Sequence, residues 1–169
     1  MTTPSPTLSP FVGSWKLYFH DPSNPSWQEK DYILLATLTS WSDYWAWMNA
    51  ISEAQFEQGG LFLMKDGFPP RYEHHTNKRG GAYQIQISQT DDEYRKLFDY
   101  YAIAMMQETA TIDPRNKIVG LSISLKRKFY ILKVWNMDAA SYNKITDIHN
   151  FVKPTTSIVY ASHIGRTYT

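Results

Sequence analysis

The chain contains no cysteine. Thiolate zinc sites, redox dithiols and a disulfide framework are therefore excluded. It also lacks any run approaching the roughly 20 apolar residues of a membrane span. The opening segment MTTPSPTLSP has neither the charged start nor the apolar stretch of a signal peptide. The expectation is a soluble monomer of the cytoplasm, with residence in the nucleus also compatible, and no membrane contact. An excess of one charge sign is missing too: 17 basic side chains face 16 acidic ones, a net charge of +1. Broad phosphate-driven nucleic-acid binding shows as a strongly basic domain, so any anion site here has to be local. What is abundant is aromatic. Six Trp, twelve Tyr and eight Phe in 169 residues exceed what one core of this size needs.

The length indicates one domain. Residues 1–10 are rich in Pro, Ser and Thr and uncharged, which reads as a flexible lead-in to a domain spanning 11–169. Ser14 to Phe19 alternates, with Trp15, Leu17 and Phe19 on one face and Lys16 and Tyr18 on the other, as a half-buried strand does. A Pro, Asn and Ser loop from Asp21 to Ser26 then delivers Trp27. A second strand is expected over Tyr32 to Thr37. Thr39, Ser40 and Ser42 offer caps for a helix to about Ile51. Its Trp41, Tyr44, Trp45 and Trp47 are too many for one narrow stripe, so some ring surface should stay exposed. Further strands are expected at Leu61 to Met64, Tyr83 to Ile87, Ile118 to Lys126, Phe129 to Trp135 and Thr156 to Ala161. Thr90 and Glu93 form a capping box that opens the longest helix, and Ser141 to His149 reads as a third helix. The sum is an α+β fold: a curved, mainly antiparallel sheet with about three helices on one face and the other face free for a ligand.

Alternation on the two paired strands places Phe129, Ile131, Lys133 and Trp135 on one side, with Ser122, Ser124 and Lys126 of the neighbour beside them. That face mixes hydroxyls, a tryptophan and lysines. The triplet Lys126, Arg127 and Lys128 at the turn reads either as a solvated hairpin tip or as a small phosphate-binding mouth. Trp27 reads either as a lid on the core or as a stacking platform for a base or cation. Glu73, in the long irregular segment Lys65 to Gly81, reads either as a solvated side chain or as part of a functional loop.

The stretch LFLMKDGFPPRYEHHTNKRGGAY, together with WKLYFHDP, Trp27, SDYWAWMNAI and a terminal VW pair, resembles the translation initiation factor 4E family, which binds the mRNA 5′ cap. The resemblance runs from about Pro10 to His163. It implies a curved sheet that cups 7-methylguanosine on its concave face and needs no cofactor. Trp27 would stack on one side of the cationic base and Tyr72, in place of a second family tryptophan, on the other. Glu73 would accept hydrogen bonds from the guanine edge, whose N1 and N2 groups are donors. Trp135 matches the tryptophan that touches the N7 methyl group. Lys126 falls on a phosphate-binding arginine, and the family's second phosphate lysine falls on Ile131, which leaves Lys128, Arg127 and Lys133 as candidates for the phosphates. Ala82 stands where an arginine follows the Gly-Gly pair.

On the convex face the family receives a peptide of a 4G-type scaffold or of a repressor. Pro10, Phe11, Trp41 and Trp45 would form that surface, with Asp99 and Tyr100 in place of a Leu-Glu pair and Ile103 retained. The partners implied are therefore capped mRNA and a scaffold or repressor protein. A competing reading keeps the fold as a module for single-stranded RNA or another methylated cationic ligand. Asp66, Glu73, His74 and His75 lie close in sequence, yet adjacent histidines on an extended loop do not readily share a metal and no nucleophile accompanies them. An enzyme is not expected.

Overall fold

In the computed structural model, which describes residues 10–90, 93–152 and 156–164, seven strands form a single sheet. They are β1 (Trp15–His20), β2 (Tyr32–Leu38), β3 (Gly60–Lys65), β4 (Gly81–Ser88), β5 (Ile118–Lys126), β6 (Phe129–Asn136) and β7 (Ser157–Ser162). Their order is β2-β1-β3-β5-β6-β4-β7, and every pairing is antiparallel. Three helices cover one face: α1 (Trp41–Ala50), α2 (Glu53–Gln58) and α3 (Glu93–Met106). The lead-in 1–9 and the junction 91–92 between Thr90 and Glu93 lie outside the described residues.

Alternation sorts each strand between two apolar layers. Leu17, Leu63, Ile85, Leu121, Ile123, Leu132 and Val134 point to the helices, where they meet Tyr44, Met48, Phe56, Phe98 and Met105. The opposite residues build a smaller cluster of Tyr32, Phe62, Met64, Val119 and Trp135, with Tyr18, Trp27, Phe68 and Tyr72 against it. A sheet buried on both faces explains why β3 carries a continuous apolar run instead of an alternating one.

Ser40 caps α1, its Oγ accepting from the Asp43 N–H at 3.1 Å. The Arg95 guanidinium of α3 donates to the Met48 and Ile51 carbonyls at the other end of α1. Trp45 is 38% exposed, as the crowded aromatic pattern required. Two helical expectations are corrected. A six-residue helix, α2, occupies Glu53–Gln58, where none was expected; Ser52 and Gln55 form its capping box, and Phe56 alone is buried. Ser141 to His149 is not an α-helix: it holds one 3₁₀ turn, Ile145–Asp147. Its backbone is satisfied by side chains instead, with Asp138 accepting from the Ala140 and Ser141 N–H groups and Asp147 from Lys144 N–H. The Tyr142 carbonyl accepts from Asn136 Nδ2 at 2.9 Å and Tyr83 Oη at 3.1 Å, which ties the segment to the sheet.

Candidate nucleotide-binding site

The loop after β1 is built to hold one ring in place. Asp31 accepts from Gln28 N–H at 2.8 Å, from Asn24 Nδ2 at 3.2 Å and from Ser26 Oγ, and Asp21 accepts from Ser23 N–H and Oγ. These turn-forming bonds deliver Trp27 to the concave side. Its indole lies flat on His20, with centroids 3.7 Å apart and planes within 2°. His20 is 1% exposed, and its Nε2–H donates to the Ser26 carbonyl at 2.8 Å.

The long loop after β3 is ordered by Asn77, whose Nδ2 donates to the carbonyls of Pro69 at 2.7 Å and Arg71 at 2.9 Å. His163 bridges this loop to the sheet: its Nδ1–H donates to the Asn77 carbonyl at 3.1 Å. Its ring lies 5.6 Å from Tyr72 and 5.0 Å from Trp135. Trp135 is buried and donates its Nε1–H to Ser122 Oγ at 3.0 Å.

Glu73 is half-committed. Its Oε1 accepts from Arg71 Nε at 2.9 Å, whereas Oε2 is buried with no hydrogen-bond partner. The Tyr32 hydroxyl is likewise buried and unpartnered. Burial raises the Tyr32 phenol well above its ordinary range, the Glu73 charge adds to the rise, and Arg71 opposes it. Tyr32 also packs against Trp27, at 6.2 Å, and Phe62, at 5.3 Å. It is thus the side chain that joins the stacking loop to the carboxylate loop.

A cleft of about 430 Å³ opens beside Trp27, with His20, Phe62, Ser122, Lys126, Lys133 and Trp135 in its walls. Cross-strand pairing sets Ser122 beside Lys133 and Lys126 beside Phe129, so the mixed face expected from alternation is present. Of the expected residues, the cleft wall gathers Trp27, Trp135, Lys126 and Lys133. Tyr72 and Glu73 stand outside that wall, reached through His163 and Tyr32. Arg127 and Lys128 are exposed at the hairpin tip, Arg127 in the left-handed conformation at φ +58°. His20, Tyr32 and Arg71 were not singled out from the sequence. Buried polar identity at an alternating strand position was the one available signal, and only for His20.

On the helical face Phe11 meets Trp41 edge-on at 5.0 Å, and Trp45 meets Tyr44 at 5.1 Å. Pro10 and Tyr100 are exposed, and Phe11, Trp41 and Ile103 are half-buried beside them. Asp99 accepts from the Tyr44 hydroxyl at 2.6 Å, and burial pushes its carboxyl above the ordinary range.

Comparison with known proteins agrees with this architecture. The chain is 25% identical over 166 residues to eukaryotic translation initiation factor 4E-1A of Danio rerio, covering 91% of this chain and 76% of that one. It is 24% identical over 149 residues to the Dictyostelium discoideum factor 4E, covering 85% of this chain but only 58% of that protein's length. Two solved structures share the fold. A Caenorhabditis elegans eIF4E-3 complex with the 4E-binding protein Mextli and a cap analog superimposes with a TM-score of 0.67 at 19% identity, covering 79% of this chain and 76% of that one. Ascaris suum eIF4E-3 with m7G cap gives 0.63 at 20% identity, covering 78% and 75%. The family model described as eukaryotic initiation factor 4E matches residues 10–166, nearly the whole chain, and the chain belongs to that family.

Proposed function

We propose that the chain binds the 7-methylguanosine cap of mRNA and acts in translation initiation or its regulation, as a cytoplasmic binding protein that catalyses no reaction. The carrying observation is the Trp27, Tyr32 and Glu73 arrangement: an indole packed against Tyr32, whose phenol in turn feels the charge of Glu73, a carboxylate with one buried oxygen that has no hydrogen-bond partner. A cationic base stacks well on an indole. The open Glu73 oxygen suits the N1–H and N2–H donors of a guanine edge. Tyr72 would close the sandwich from the long loop, and Trp135, at the cleft wall, would meet the N7 methyl group. Lys126 and Lys133 on the same wall suit phosphate oxygens, and Lys128 and Arg127 at the hairpin tip supply charge at its mouth.

The aromatic surface of Pro10, Phe11, Trp41 and Trp45, with Asp99, Tyr100 and Ile103, is the corresponding docking face for a scaffold of the 4G type or a repressor. Titration with 7-methyl-GTP followed by Trp fluorescence tests the cap assignment. The wild type should bind the methylated nucleotide about 2- to 30-fold more tightly than GTP, since cation–π attraction contributes about 0.5–2 kcal/mol, and Trp27→Ala should abolish retention on immobilised cap. Equal affinity for GTP, or displacement by uncapped oligonucleotide in preference to cap analogue, would overturn it.

A further inference from the structure

The loop that carries Trp27 and the loop that carries Glu73 meet. Arg71, which holds Glu73 through its Nε–H, shares a groove with Gln28, Glu29 and Lys30, the residues that lead from Trp27 to β2. Two buried oxygens at this junction have no hydrogen-bond partner among the described residues: the Tyr32 hydroxyl and Oε2 of Glu73. Tyr32 is 7% exposed, and its ring is fixed by Phe62 edge-on at 5.3 Å, by His20 at 5.2 Å and by Trp27 at 6.2 Å, so its hydroxyl stays where the ring puts it. The Glu73 charge acts on the phenol, yet the two oxygens do not bond each other. Buried polar atoms are almost always paired, and two exceptions side by side at a candidate site point to a group supplied from outside the chain.

Hydrogen-bond chemistry restricts what that group is. An ionised carboxylate only accepts, so the group has to bring a hydrogen for Glu73 Oε2. Oε1 already accepts from Arg71 Nε at 2.9 Å, and a carboxylate oxygen takes one bond more. A guanine edge offers three hydrogens, one on N1 and two on the N2 amino group. Three acceptors face it: the remaining position on Oε1, the whole of Oε2, and the Tyr32 hydroxyl. Resting on the cap-binding reading above, we infer that Tyr32 is a specificity-determining residue of the site: its hydroxyl accepts one N2 hydrogen of guanine while Glu73 Oε2 accepts the other. A single amino group then satisfies both buried oxygens and ties β2 to the carboxylate loop. Burial, with the Glu73 charge, holds the phenol above its ordinary range, so it stays protonated and the contact is a neutral hydrogen bond. A base without the amino group leaves the Tyr32 hydroxyl unpaired.

The experiment compares wild type with Tyr32→Phe, which keeps the ring and its packing and removes only the oxygen. Affinities are measured by fluorescence titration for 7-methyl-GTP and for 7-methyl-ITP, which differs by lacking the N2 amino group. Ligand ionisation is common to both proteins and cancels in the ratio of their affinities. For 7-methyl-GTP the variant should bind about 2- to 12-fold more weakly than the wild type, the contribution of one neutral hydrogen bond. For 7-methyl-ITP it should bind as tightly as the wild type or more tightly. Without ligand, Tyr32→Phe should unfold at or above the wild-type Tm, since a buried unpaired hydroxyl is gone. Unchanged affinity for 7-methyl-GTP overturns the inference while leaving cap binding intact. An equal loss for both nucleotides also overturns it, as does a lower Tm, since the hydroxyl would then serve the fold and not the amino group. Absence of 7-methyl-GTP binding by the wild type removes the functional reading and this inference together.

Discussion

Replacing Glu73 with alanine should move stability and affinity in opposite directions. In the unliganded protein Oε2 is buried without a partner, an arrangement that costs about 1–3 kcal/mol. The other oxygen pairs with Arg71 between side chains 25% and 26% exposed, a bond that contributes about 0–1 kcal/mol. Truncation therefore leaves the fold unchanged or more stable by up to about 3 kcal/mol, because the freed guanidinium still reaches water. For a chain of this size each kcal/mol is about 2–4 °C in Tm, so thermal unfolding should show a shift between zero and a rise of several degrees. Loss of two charge-assisted bonds to a guanine edge, about 1.5–3 kcal/mol each, should lower 7-methyl-GTP affinity at least about a hundredfold. Calorimetric unfolding and fluorescence titration on the same preparation check both halves. A Tm fall of about 5 °C with affinity retained would refute the reasoning, since the carboxylate would then be structural.

Two further outcomes follow from the same geometry. Asp99→Asn keeps an oxygen to accept from the Tyr44 hydroxyl but removes a half-buried charge whose carboxyl titrates above its ordinary range. A raised carboxyl makes the native state the stronger proton binder, so its stabilising contribution is complete below about pH 4 and lost as pH rises. The variant should accordingly unfold at a higher temperature than wild type at pH 7, and the difference should fade as pH falls towards 4; a gap that grows on acidification would contradict the sign. Gly80→Ala should destabilise the fold by at least about 1–3 kcal/mol in denaturant unfolding, since its Cβ would land on the backbone carbonyl of Asn136, which cannot swing aside as a side chain can.

Much of the sheet was legible because its signal is local. On β5 and β6 the period-two pattern sorts Leu121, Ile123, Leu132 and Val134 from Ser122, Lys126, Lys133 and Trp135, and the register pairs them as alternation required. The helix at Ser141 to His149 was misread because Asp138 and Asp147 offer nearby backbone N–H groups a local alternative to helix, while Asn136 and Tyr83 hold the Tyr142 carbonyl from the sheet. Six-residue α2 has too few turns to show a stripe, and only Phe56 inside it is buried.

By itself, the sequence determined the fold class and the strand faces, for which periodicity is sufficient, and its resemblance to a family named Trp27, Tyr72, Glu73, Trp135 and the lysines as candidates. Tertiary structure alone decided which of them share a wall, and which unremarked neighbours act on them. His20 meets Trp27 through the return of a six-residue loop, and Tyr32 feels the charge of Glu73 from a strand forty-one positions away. Contacts of this kind depend on how the chain closes in space, and no spacing along it encodes them.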